Sequence, residues 1–151
     1  MRASEVSELL GLEPLPEEGG LFAETWRDRH GSAIYYLLVD GDFSAIHRLD
    51  AAELWHHYAG AAVEMLLLLP DGSAETATLG NDLAAGQRPC VAVPTGTWMG
   101  ASTTGEWSLM GTTMAPPYHQ EGFELGDADE LMARYPSAGD AISRLVRGSG
   151  V

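Results

Sequence analysis

The feature that most constrains the fold is a series of short strand-like runs, most of them followed directly by glycine, proline or aspartate. The runs are rich in β-branched and aromatic residues. They cover residues 21–27, 33–39, 43–49, 63–69, 74–79, 90–93, 97–102 and 107–114. Parallel strands need a long crossover connection, and no helical pattern long enough for one lies between these runs. The pattern therefore predicts an all-β fold, a sandwich or barrel of antiparallel strands.

The N-terminal residues follow a helical period. Ser4 is predicted to cap a short helix that Gly11 ends, because its apolar positions fall on one face. The next segment, residues 13–20, contains too much proline and glycine for regular structure.

The C-terminal residues are also predicted to be helical. Asp127 and Glu130 have the spacing of a capping box, and Pro136 is expected to stop the helix that follows it. Ser137 is expected to cap a last helix, which Gly148 would end.

A chain of 151 residues is long enough to bury one sizeable core. We expect a single domain over 1–151, without a linker that would divide it. Its parts would be an N-terminal helix and loop at 1–20, a β-barrel at 21–125 and C-terminal helices at 126–151.

The formal net charge of -14 limits the possible partners. Nucleic acid is excluded as a partner because binding to phosphates depends on Lys and Arg. An anionic membrane surface is disfavoured for the same reason, and the longest apolar run, 65–69, is too short to span a bilayer. Without a signal peptide pattern at the N-terminus, a soluble cytoplasmic protein is expected. The single cysteine, Cys90, excludes an internal disulfide, and we expect it to be a buried thiol.

Polar groups that carry chemistry concentrate in residues 43–60. This stretch holds three of the five histidines, His47, His56 and His57, with Glu53 between them. Apolar residues flank the group, so we expect it to lie within the folded domain. A second stretch, residues 91–101, is its expected partner.

These stretches resemble the two motifs of the cupin superfamily. The first motif reads His-x-His, a short gap, Glu, six residues and Gly, and here His47, Glu53 and Gly60 stand in that register. The second contains Pro-x-Gly, two residues and His, and Pro94 and Gly96 match its start. The chain is similar to a small single-domain branch of unknown function, the cupin-five type, which resembles sugar-epimerase-like cupins. The resemblance covers about residues 19–125 and implies a double-stranded β-helix, or jelly roll, with short terminal helices.

The chain also departs from the motifs. Metal-binding cupins use both histidines and the glutamate of the first motif with the histidine of the second. Leu49 and Met99 occupy two of these positions, and neither suits a hard or borderline divalent ion. The resemblance therefore implies no metal and no cofactor. A non-standard site of His47, Glu53 and one of the two adjacent histidines, with His56 preferred, remains as an alternative.

The resemblance directs His47 and Glu53 into the barrel. His47 would be a general base with Glu53 as its orienting partner, and Tyr118 a general acid, although a buried His–Glu pair is also common as a purely structural element. Adjacent strand residues point to opposite faces, so one of His56 and His57 should face the lumen. Strict alternation favours His57, whereas a bulge, together with the branch pattern, favours His56. Further residues expected to bind ligand or line the pocket are Trp26, Tyr36, Trp55, Trp98, Met99 and His119.

The expected function is metal-independent acid/base chemistry of the isomerase or epimerase type on a polar metabolite or sugar derivative. One alternative is a cupin that binds or senses a metabolite without converting it. Another is a metal-dependent oxygenase or isomerase that uses the non-standard site. We expect a homodimer formed through edge strands.

Overall fold

The computed structural model of the protein describes residues 1–147. Its helices are α1 (Ala3–Leu10), α2 (Ala128–Arg134) and α3 (Gly139–Arg144). Its strands are β1 (Glu13–Pro14), β2 (Leu21–Arg27), β3 (Ser32–Val39), β4 (Ser44–Leu49), β5 (Glu53–Gly60), β6 (Val63–Leu68), β7 (Ala74–Leu79), β8 (Cys90–Val93), β9 (Trp98–Thr103), β10 (Trp107–Met114) and β11 (Phe123–Leu125).

The strands form two sheets that face each other. The larger sheet has the order β1-β2-β3-β10-β5-β8, and the smaller has the order β11-β4-β9-β6-β7. Neighbouring strands in both sheets run antiparallel. The predicted all-β antiparallel architecture is confirmed. Strands β7 and β8 each end a sheet, and the homodimer through edge strands stays a prediction.

Two apolar clusters hold these layers together. The larger lies between the sheets and contains Leu38, Trp55 and Met110. The second lies between the outer face of the smaller sheet and the C-terminal helices, where Ile46 and Trp98 join the helical cluster around Ile142. Each large apolar side chain gains about 1.5–3 kcal/mol by leaving water, so the helices cover a face that would otherwise be costly to expose.

Strand β4 shows how the two clusters place the functional side chains. Successive residues of a strand point to opposite faces. Ile46 is buried against the C-terminal helices, and the Arg48 guanidinium lies 4.4 Å from the centre of the Trp98 ring on that side. His47 and Leu49 therefore point between the sheets, where both are buried.

The helix boundaries differ in part from those predicted. Helix α1 begins one residue before Ser4, and the Glu5 carboxylate accepts a hydrogen bond from the backbone N–H of Arg2 at the N-cap position. Gly11 ends this helix at φ 66°, as predicted. Residues 13–14 also form a two-residue strand, because they pair with the start of β2.

At the C-terminus the Asp127 carboxylate accepts the Glu130 backbone N–H, which confirms that cap. The prediction for Ser137 is wrong: it lies in a 3₁₀ turn over Pro136–Ala138, and α3 begins at Gly139. Gly148 lies outside the described residues.

The predicted burial of Cys90 is also wrong, since its side chain is exposed. It begins β8, the last strand of the larger sheet, where no further strand covers it. Within residues 1–147 no helix combines the length and the apolar character needed to cross a membrane.

Candidate functional site

A cavity of about 160 Å³ lies between the two sheets. Strands of both sheets and the loop before β2 contribute to its walls. Its lining comprises Leu15, Pro16, Glu17, Glu18, Phe22, Glu24, Ser32, Ala33, Ile34, Tyr36, His47, Leu49, Glu53, Trp55, Thr112, Met114, Tyr118, Gln120 and Phe123. Apolar and aromatic walls with a few convergent polar groups are typical of small-molecule sites.

His47 presents one ring nitrogen to this cavity. Its Nδ1–H donates to the carbonyl oxygen of Ala45 at 2.7 Å, since a carbonyl can only accept. In the neutral imidazole Nε2 therefore carries the lone pair, and it lies 3.6 Å from Oε1 of Glu18. The ring stacks on Phe123 with centroids 5.4 Å apart, and the side chain is only 2% exposed. His47 is thus fixed in the tautomer that a general base requires.

Glu18 reaches the cavity from the irregular loop before β2. Its backbone carbonyl accepts hydrogen bonds from the Ala45 N–H at 2.8 Å and from the Arg147 guanidinium at 2.9 Å. Its carboxylate accepts the Ser44 hydroxyl at 2.7 Å. The preceding residue, Glu17, has φ 67°, a conformation that costs a non-glycine residue about 1–2 kcal/mol. Strain of this kind concentrates at functional sites.

Glu53 is the second carboxyl group of the cavity and is only 8% exposed. The Trp55 indole N–H donates to its Oε1 at 3.0 Å. Burial raises the pKa of Glu53 to about 7, while nearby His47 lowers it and Glu18 raises it. Hydrogen bonds from Thr112 and Trp55 also lower the pKa, by less than burial raises it. A carboxyl group near pKa 7 is able to give or take a proton at neutral pH.

Two tyrosines complete the polar lining. The Tyr36 hydroxyl donates to the carbonyl of Gly19 at 2.6 Å, and burial followed by the Glu18 charge raises its pKa well above the usual value. The Tyr118 hydroxyl donates to Oε1 of Gln120 at 3.0 Å. Burial and the neighbouring carboxylates, Glu18 first, raise the pKa of Tyr118 as well. Both tyrosines are therefore neutral hydrogen-bonding groups at physiological pH.

The structure brings together five of the residues selected from the sequence. His47, Glu53, Tyr36, Trp55 and Tyr118 all line the cavity. The proposed orientation of His47 by Glu53 is not observed: His47 bonds to Ala45, and Glu53 bonds to Trp55. Glu53 is accordingly a separate acid/base group rather than a partner that holds the imidazole.

The adjacent histidines lie outside the cavity. His56 stacks on Tyr58 and contacts the Thr113 hydroxyl at 3.3 Å, on the outer face of the larger sheet. The preference for His56 as the lumen-facing residue is therefore wrong. His57 bonds to the carbonyl of Ala61 at 2.9 Å and to the Asn81 amide at 3.0 Å, so both ring nitrogens are occupied.

Four other expected ligand contacts are also absent from the lining. Trp98 packs beneath the C-terminal helices on the far side of the smaller sheet. Met99 is buried in the core between the sheets without reaching the cavity. His119 is exposed and contacts Asp50 at 2.8 Å, whose hydrogen bond is the main cause of its raised pKa. Trp26 is 44% exposed.

Sequence reasoning missed several lining residues, above all Glu18. Phe22 and Thr112 lie on predicted strands, so strand alternation could have placed them inward, whereas Phe123 lies on β11, a strand that was not predicted. For Glu18 the sequence offers only two adjacent acids in a loop rich in proline and glycine.

Two antiparallel sheets in this strand order, closed over a cavity with an imidazole and a carboxyl group at the family motif positions, define a cupin. The family model Cupin_5, described as "Cupin superfamily (DUF985)", matches residues 4–126. The chain belongs to this family.

Three solved structures are similar to this chain. Protein SO0799 from Shewanella oneidensis is 34% identical, with a TM-score of 0.92 over 97% of this chain and 98% of that chain. A hypothetical protein from Leishmania major is 23% identical, with a TM-score of 0.90 over 97% and 99%. A cupin 2 conserved barrel domain protein from Rhodopseudomonas palustris is 14% identical, with a TM-score of 0.61 over 88% and 83%. The last two show the fold alone. The comparison with curated proteins found no match.

The residues present do not fit the metal site of metal-binding cupins. Leu49 and Met99 replace two ligands, and His56 lies on the opposite face of β5 from Glu53. Within residues 1–147 no group of three or more His, Cys, Asp and Glu side chains is arranged to hold a metal ion. We therefore assign no step of a reaction to a metal.

Proposed function

We propose that this cupin binds a small metabolite in the cavity and catalyses a metal-independent proton transfer on it, of the isomerase or epimerase type. The observation that carries the proposal is Nε2 of His47, which is held as a base and faces the cavity without a hydrogen bond shorter than the 3.6 Å contact to Glu18.

The two titratable groups divide the roles. His47 Nε2 takes a proton from a carbon next to a carbonyl group of the substrate. Glu53, whose pKa of about 7 leaves it about half protonated at neutral pH, delivers a proton to the other face or to the oxygen. Tyr118 donates a hydrogen bond to the developing oxyanion, which favours the transition state without ionisation of the hydroxyl.

Proton transfer at carbon can be measured before the natural substrate is known. The protein is incubated in D₂O with a panel of aldoses, ketoses and amino sugars, and deuterium at carbon is followed by NMR. We expect exchange on at least one compound and a loss of roughly 100-fold or more in His47→Gln and Glu53→Gln. His30→Gln, an exposed histidine in the turn between β2 and β3, is the matched control and should keep the full rate.

A non-catalytic carrier is the second candidate. The mostly apolar lining, which includes Phe22, Ile34 and Met114, favours it because such walls hold a ligand without activating it. A compound that binds and protects against thermal unfolding but shows no exchange would support the carrier and contradict the enzyme. Exchange that is lost with EDTA and restored by Mn²⁺ or Fe²⁺ would contradict the metal-independent mechanism.

A further inference from the structure

The charges that line the cavity are unbalanced. Four carboxyl groups contribute to its walls, those of Glu17, Glu18, Glu24 and Glu53. The one basic side chain in the lining is that of His47, and none of the lining residues is Lys or Arg. At most one positive charge therefore faces four acidic groups.

Nearby arginines do not correct this imbalance at the two deep carboxyl groups. Arg27 pairs with Glu24 at 2.9 Å and donates to the carbonyl of Tyr118. Arg147 donates to the backbone oxygen of Glu18 and to Asp42, not to the Glu18 carboxylate. Glu18 and Glu53 are left with neutral donors and the one shared imidazole.

The size of the cavity limits the ligand. Its volume of about 160 Å³ is close to that of an engineered apolar cavity of ~150 Å³ that binds benzene. One six-membered ring therefore fits, whereas a nucleotide-linked sugar does not. The lining includes the aromatic side chains of Phe22, Tyr36 and Phe123, and aromatic side chains suit both a ring and an organic cation.

We propose that the cavity binds a small organic cation, an ammonium compound about the size of one six-membered ring. The ammonium group would lie between Glu18 and Glu53, and the hydrocarbon part would contact Phe22 and Phe123. This inference rests on the proposed function only for the location of the site, and it adds the charge class of the ligand. The donor set is unsuited to a metal ion, and an anion would meet the Glu18 carboxylate in a lining that contains neither Lys nor Arg.

The charge of the Glu18 carboxylate acts on three other groups of the cavity. The pKa values of Tyr36, Tyr118 and Glu53 are all raised, by burial first and then in part by the Glu18 charge. A positive charge on the His47 ring, when the ring is protonated, would lower the Glu53 pKa. A bound ammonium would act in the same direction as His47 and favour the ionised carboxylate.

A series of probes matched in shape tests the charge directly. Cyclohexylamine, cyclohexanol and cyclohexanecarboxylate are titrated into the protein at pH 7 by calorimetry. We expect the amine to bind about tenfold more tightly than the alcohol, or better, and the carboxylate to bind most weakly. Equal affinities, a preference for the carboxylate or no binding of the amine would each overturn the inference.

Proton release gives a second readout on the unmodified protein. The amine keeps its proton at pH 7, so its charge should expel a proton from Glu53. The measured heat should then depend on the ionisation enthalpy of the buffer, with the sign of proton release. Proton uptake with the amine would contradict the inference.

Two variants test whether Glu18 causes the preference for the amine over the alcohol. Glu18→Gln should reduce the preference for amine over alcohol about tenfold while the alcohol binds as before. Glu75→Gln, an exposed glutamate on β7, should change neither value. An unchanged preference in a folded Glu18→Gln protein would overturn the inference.

The two proposals fail separately. Selective binding of the amine, with no deuterium exchange on any compound, leaves the inference standing and removes the enzyme. Deuterium exchange on neutral or anionic compounds, without preferential binding of the amine, supports the enzyme and overturns the inference of a cationic ligand.

Discussion

Replacing Glu53 with glutamine should make the stability of the protein less dependent on pH. In the folded state burial raises the pKa of this carboxyl group from 4.5 to about 7. Between these values the folded protein binds a proton that the unfolded chain has lost. The free energy of unfolding of the natural protein should therefore be highest below pH 4.5, with respect to this group, and decline as the pH rises through 7.

The magnitude follows from the interval between the two pKa values. A pKa difference of one unit between the folded and unfolded states changes the free energy of unfolding by about 1.4 kcal/mol. The interval from 4.5 to about 7 therefore limits the contribution of Glu53 to the free energy of unfolding to about 3 kcal/mol. Glutamine keeps an oxygen that can accept the Trp55 indole N–H, and it carries no charge to bury. The variant should gain up to this amount relative to the natural protein between about pH 4.5 and pH 8.

Urea unfolding at a series of pH values measures the difference. Subtracting the natural protein from Glu53→Gln removes the contribution of groups that titrate alike in both. Glu75→Gln, an exposed residue, serves as the control and should follow the natural protein at every pH. Parallel curves for Glu53→Gln and the natural protein would refute the raised pKa.

Three further predictions follow from particular contacts. Gly20→Ala should lower the free energy of unfolding, measured with urea, by about 2–4 kcal/mol, because φ is 78° and a Cβ would lie 2.5 Å from the Tyr36 ring. Gly86→Ala, at φ 87° in open space, should lower it by only about 1–2 kcal/mol. Equal losses in the two variants would contradict the role of the ring. Ile142→Ala should lower the free energy of unfolding by about 2–5 kcal/mol, because the Ile142 side chain is fully buried beneath the smaller sheet. Leu83→Ala, at an exposed position, should lower it by about 0.5 kcal/mol or less. A small loss in Ile142→Ala would mean that the helices pack loosely. Arg147→Leu should weaken cyclohexylamine binding severalfold, because it removes hydrogen bonds to the backbone of Glu18 and Phe43. The control Arg144→Leu should leave binding unchanged. Equal affinities in the two variants would show that the Glu18 loop is held by other contacts.

Much of the fold was predictable from local sequence. The predicted runs 21–27, 74–79, 90–93 and 107–114 coincide with strands, because each alternates or clusters apolar residues, and all but the last are followed directly by a turn residue. The resemblance to the cupin motifs placed His47 and Glu53 inside the barrel, and both line the cavity.

The two main errors, at Glu18 and His56, have different causes. Glu18 lies in a loop without a period, and it reaches the cavity through hydrogen bonds to Ala45 and Arg147. His56 was preferred on the assumption of a bulge, but pairing with β10 is regular from Glu53 to His57, and the register shift lies between Leu109 and Met110. Its outward direction therefore follows from simple alternation.

The central claim is that His47 presents an unprotonated Nε2 to the cavity. Long-range ¹H–¹⁵N correlation spectra of the histidine rings, assigned with His47→Gln, measure this directly at a pH where the imidazole is neutral. We expect the Nδ1–H tautomer, and we expect the ¹⁵N resonance of Nε2 to shift when cyclohexylamine is added. A neutral His47 with its proton on Nε2 would contradict the account, because that nitrogen would then have no lone pair with which to act as a base.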